Sequence, residues 1–131
     1  MSAEVAVRGA VIDALRGDAV LMAGLNGLFD GAPARASAPY GVVGECVATD
    51  WGAKDVDGRE LTVTVSLFDA GEGPGRLAGL LARVDPLLRT MEVTEGWRVV
   101  HARLVRSRLS RTGARDGWQA LADYRLRVVR V

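Results

Sequence analysis

The most enzyme-like stretch of the chain is Gly71-Glu72-Gly73-Pro74-Gly75, lying between an alternating apolar segment and a leucine-rich one. Gly73, Gly75 and Ala78 satisfy G-x-G-x-x-A, and Glu95 follows Gly75 by 20 residues. In a dinucleotide site such glycines let backbone N–H groups approach a pyrophosphate at a helix N-terminus, and the acid holds a ribose. That chemistry needs parallel βαβαβ units, which the sequence lacks, and Glu95 precedes a strand rather than ending one. The stretch therefore reads as a glycine-rich connection, with Gly73 as cap and Pro74 as the first helical residue. Asp55-x-Asp57-Gly58 has the look of a calcium loop, but its first ligand position falls on Ala53 and its bidentate position on Thr64. A polar hairpin turn closed by Asp57-Gly58 accounts for it. His101 is the single histidine, and no G-x-S-x-G elbow accompanies it. Cys46 is the single cysteine and lies in an apolar strand, so an internal disulfide and a cysteine-based zinc site are both excluded. No catalytic constellation emerges; the expectation is a protein that is not an enzyme, with no cofactor and no metal.

Charge is more informative than motif. The 131 residues carry a net +1, but residues 1–96 hold eight basic and 14 acidic side chains, for −6, and residues 97–131 hold nine arginines and two acids, for +7. Such asymmetry points to a partner surface or a polyanion at one end. Exposed aromatics, which a single-strand nucleic-acid binder needs for stacking, are scarce in that basic third. A protein-facing or solvated basic strand pair is the expectation. No apolar run reaches the roughly 18 residues of a membrane span. Glu4, Arg8 and Asp13 interrupt the N-terminal apolar stretch as no signal peptide does, so a soluble chain made in the cytosol is expected.

The elements that position these groups follow from periodicity. Residues 2–16 read as a helix capped by Ser2, with Val5, Ile12 and Leu15 on one stripe. Gly17 and Asp18 end it and start a short second turn, Ala19–Ala23. Leu25–Phe29 reads as a short strand or bend, and Asp30–Pro39 as a loop. Tyr40–Ala48 and Glu60–Asp69 read as strands flanking a polar excursion, Thr49–Gly58. A helix with Leu77, Leu80, Leu81, Val84, Leu87, Leu88 and Met91 as its apolar stripe follows, kinked at Pro86. Trp97–Ser110 and Trp118–Val131 form a long hairpin, with Ala120, Ala122, Tyr124, Leu126 and Val128 facing inward. The expected fold is α+β: a single domain over residues 1–131, a two-layer sandwich with a mostly antiparallel four-stranded sheet, helices on one face, and the order α-β-β-α-β-β. Leu80, Leu81, Val84 and Leu88 should pack on Val63, Val65, Tyr124 and Leu126.

Several segments carry a family likeness: ALRGDAVLMAGLNGLFDG early in the chain, PYGVVGE, TDWGAKDVDGRELTVTVSLFD, RLAGLLARVDPLL, ARDG at the last turn, and YRLRV in the last strand. Over about residues 8–130 the sequence resembles the tail completion proteins, or tail terminators, of long-tailed bacteriophages and gene transfer agents. GEGPG departs from the pattern, since related sequences run more directly into the helix. The resemblance implies a structural virion protein that caps the tail tube as a ring, usually a hexamer, and joins it to the head connector, or stopper. It implies assembly in the bacterial cytoplasm, residence at the head–tail junction of a phage-like particle, and DNA passing through the lumen without sequence-specific binding. Partners are then further copies of the chain, the tail tube protein and the connector, with no membrane. Charge suggests where copies meet: donors Arg106, Arg108, Arg111 and Arg115; acceptors Asp50, Asp55, Asp57 and Asp69; and Trp51 as an exposed anchor. Two other readings stay open, a small cytosolic ligand-binding protein using GEGPG and a nucleic-acid-binding module using the arginine hairpin.

Overall fold

A computed structural model describes residues 1–71, 73–113 and 117–131. Ser2, in extended backbone, accepts a hydrogen bond from the Val5 N–H at 3.3 Å and so starts helix α1, Ala3–Arg16. Asp18 does the same for Leu21 and starts α2, Ala19–Ala23. α1 buries Ala3, Ala6, Val7, Val11, Ile12 and Leu15. Val5, expected on that stripe, stands 57% exposed, because no described element covers it.

Five strands follow: β1 (Leu28–Asp30), β2 (Tyr40–Asp50), β3 (Gly58–Ala70), β4 (Trp97–Arg111) and β5 (Gly117–Arg130), with helix α3 (Gly75–Thr90) between β3 and β4. They form one mixed sheet in the order β1-β2-β3-β5-β4. The expected four-stranded sheet and α-β-β-α-β-β order are corrected at Leu25–Phe29, which resolves into β1. β1 runs parallel to β2, with Leu28 opposite Gly41, and the other pairings are antiparallel. The three-residue strand is too short for alternation to show. Tertiary bonds hold it instead: the Gly31 N–H donates to the Val43 carbonyl at 2.9 Å, and the Asn26 amide ties the returning loop at the Ser37 and Ala38 carbonyls.

Alternation along β3 and β5 decides which face is dry. Leu61, Val63, Val65 and Leu67, with Ala120, Ala122, Tyr124, Leu126 and Val128, are buried beneath the helices. α3 presents Leu77, Leu80, Val84 and Leu88 to this face. Leu81 was expected among them but is only half-buried, since it points past the sheet contact into a groove beside β4. α3 continues through Pro86 to Thr90, whose hydroxyl donates to the Pro86 carbonyl at 2.7 Å. Pro74 is the residue before the helix rather than its first.

The β2–β3 hairpin turns at Lys54–Asp55, not at Asp57-Gly58. Ala53 and Val56 exchange N–H···O bonds at 2.9 and 3.1 Å, and the Trp51 N–H donates to the Gly58 carbonyl at 3.0 Å. Gly58 is thus in the stem, where a β-carbon would press against Trp51. β4, an edge strand, carries register breaks at Val99/His101 and Leu104/Arg106, which leave Val100 and Val105 as extra bulged residues.

Candidate functional site

The sheet face away from the helices is open, and the β4–β5 half of it is arginine-rich. By alternation and register, Arg98, His101, Arg103, Arg106 and Arg108 on β4 share it with Asp123, Arg125 and Arg127 on β5. Each acid there serves more than one arginine. Asp123, 8% exposed, accepts from the Thr64 hydroxyl and from Arg106 Nε at 2.7 Å, with Arg108 at 3.8 Å. Burial pushes this carboxyl upward, but the Arg106 and Thr64 hydrogen bonds outweigh it and hold the group below the usual aspartate range. Glu60 takes Arg127 at 2.8 Å and Arg125 at 3.8 Å. Arg103 stands directly opposite Arg125 with no acid of its own among the described residues. Two arginines per carboxylate leave this half of the face with surplus positive charge.

The residues expected at an interface scatter over the molecule. Asp50 and Asp57 both pair with Arg59, and Asp57 also with Arg130 at 3.4 Å, so both are engaged within the chain. Asp55 sits at the exposed hairpin tip with no cation partner among the described residues. Trp51 is 38% exposed, with the Arg127 guanidinium 5.2 Å from its ring centre. Asp69 lies on the helix side, 6% exposed, and accepts from Arg76 Nε at 2.9 Å. That bond holds its carboxyl below the usual range. Arg106 and Arg108 lean on Asp123, and Arg111 lies over the Trp118 ring at 4.7 Å. Arg115 falls outside the described residues.

Sequence reasoning passed over a groove at the root of β4. It runs between α1 and the Met91–Glu95 segment, has a volume of about 650 Å³, and is walled by Met1, Val5, Ala10 and Met91. Asp13, Glu92 and Glu95 line it, and none has a cation partner among the described residues. Spacing alone hides it: Arg16 stands three residues from Asp13 on α1, where a pair would be expected, but its guanidinium donates to the Leu28 carbonyl at 2.9 Å instead.

The enzyme-like features resolve into structural roles. Glu95 occupies a turn with positive φ beside Gly96, not a strand end. Cys46 is half-buried on the helix side of β2, and burial raises its thiol to about 11. No three His, Cys, Asp or Glu side chains among the described residues gather to hold a metal ion. No helix among them is long and apolar enough to cross a membrane.

With the fold and its surfaces in view, comparison with known proteins decides the family. The sequence model described as "Tail completion protein gp17" matches residues 9–129. The chain belongs to the tail completion protein gp17 family. Members of this family are structural components of phage tails. No curated protein matches the sequence. Among solved structures, the fold is similar to a chain of a structure described as the virion of a native gene transfer agent particle. The two share 25% identity, with a TM-score of 0.83, over 98% of this chain and 99% of that one. The resemblance carried by PYGVVGE and GRELTVTVSLFD is thus a family relationship.

Proposed function

We propose that residues 1–131 act as one tail-terminator-like domain that caps the end of a tail tube as a closed ring, hexameric in number, and joins that tube to the head connector. The similarity to a virion chain over nearly the whole length of both chains carries this reading. The protein then works as a part of a particle, assembled in the bacterial cytoplasm and resident at the head–tail junction. DNA passes through the ring lumen without being read. The chain performs no catalysis and needs no cofactor in this role.

The charge layout supports assembly from copies. An acidic first part and a basic last third on one chain favour contacts between unlike patches, and unlike contacts that close make rings. Complementation tests the reading. Cells that make the particle but lack this protein should accumulate tails and heads that fail to join, and the protein supplied in trans should restore joined particles. Normal particles in its absence would overturn the proposal, as would a tight dimer that melts higher with a nucleotide.

A further inference from the structure

We infer that the acidic groove at the root of β4 receives the tip segment of β4, Val105–Arg111, from a second copy of the chain, so that copies join head to tail. This rests on the ring reading and specifies its contact. The groove combines an apolar wall with three carboxylates that have no cation partner among the described residues, Asp13, Glu92 and Glu95. Val5 in that wall is 57% exposed, although it continues the stripe that Ile12 occupies two turns later. The apolar stripe of α1 is therefore wider than the described elements cover.

The proposed occupant is matched to it in both respects. All seven residues Val105–Arg111 are exposed, with Val105 and Leu109 at 45% and 47%. Arg106 and Arg108 share one carboxylate, and Arg111 has no acid partner among the described residues. A basic strip with apolar side chains suits an acidic groove with an apolar wall. The two lie at opposite ends of the same strand. The 15 residues of β4 span about 45 Å at roughly 3.3 Å per residue, so they cannot meet within one chain. Between copies they can, and every copy then uses one of each patch, which is the geometry of a ring. Docking by side chains fits better than strand pairing along the β4 edge, because two bulges and a row of arginines blunt that edge.

Charge reversal tests the contact. The groove variant carries Asp13→Lys and Glu92→Lys; the tip variant carries Arg108→Glu and Arg111→Glu. All four positions are exposed, so circular dichroism and melting should match wild type. Mass photometry with tail tubes of the particle reads ring formation. Each variant alone should assemble at least tenfold less well than wild type. An equal mixture should recover, because wild-type tips meet wild-type grooves and reversed tips meet reversed grooves around an alternating ring. A chain carrying Val5→Cys and Leu109→Cys should form disulfide-linked multimers on oxidation. Either variant assembling like wild type, or a mixture of two well-folded variants that stays unassembled, overturns the contact and leaves the ring reading standing. Wild type that neither self-associates nor binds tubes takes down both.

Discussion

Leu88 and Leu81 lie on the same helix, two turns and about 20° apart around its axis, yet should respond very differently to truncation. Leu88 is 1% exposed and closes the core between α3 and the sheet. Leu81 is half-buried and lines an open groove of about 420 Å³ with Leu104, Leu109 and Tyr124. Leu88→Ala removes buried apolar surface and leaves a closed void, so it should cost about 3 kcal/mol, within the usual range of about 2–5. Leu81→Ala opens its void to water and loses only part of the transfer free energy, about 1 kcal/mol. For a chain of this size each kcal/mol lowers Tm by roughly 3–5 °C, so Leu88→Ala should melt about 10 °C below wild type and Leu81→Ala about 4 °C below. Urea unfolding followed by circular dichroism, with thermal melts alongside, measures both. An unchanged urea dependence would show that stability alone has moved. Equal costs at the two positions, or a cost below about 1 kcal/mol at Leu88, would refute the assigned burial of the two side chains.

Three further outcomes are expected. Arg76 holds the Asp69 carboxyl low, so its stabilisation is present above the unfolded pKa of about 4 and is lost as pH falls through the lower folded value; Asp69→Asn should therefore be less stable at pH 7 and lose less on acidification, and urea titrations at pH 7 and pH 3 with identical losses for both proteins would contradict this. Asp123→Ala strips the shared acceptor from Arg106, Arg108 and Thr64, so it should destabilise by about 1–3 kcal/mol and raise the salt needed to elute the protein from heparin; unchanged elution would show that Asp123 does not offset the charge of the open face. Deleting residues 51–56 joins Asp50 to Asp57-Gly58, a dipeptide suited to a two-residue turn, so the protein should fold with wild-type circular dichroism yet fail in tail completion; normal particles from that deletion would end any role for the Trp51 hairpin tip.

What the sequence revealed was local. Ser2 and Asp18 announce their helices because capping is decided within three residues. The alternation of Leu61, Val63, Val65 and Leu67 announces β3 because one face is dry and the other wet. Leu25–Phe29 reads equally as a strand or a bend, because the three residues of β1 are held by distant partners and carry no period. Asp57-Gly58 misled because a strong turn dipeptide sits where the Ala53–Val56 bridge moves the turn three residues earlier. Val5 and Leu81 have apolar stripe spacing, but burial depends on whether another element arrives, which spacing cannot encode. The site was harder still. Donors and acceptors chosen by net charge proved to be partly spent within the chain, Asp69 on Arg76 and Arg106 on Asp123, pairings separated by seven and 17 residues. Three carboxylates without a cation partner among the described residues, Asp13, Glu92 and Glu95, become one surface only when α1 and the segment after α3 come together.

Electron cryomicroscopy of tail tubes incubated with the purified protein tests the central claim most directly. The account predicts one closed ring of this chain at a single end of each tube, with the β4 tip of every copy seated against its neighbour's α1. Tubes bare at both ends, or copies scattered along the tube wall without closing, would contradict it.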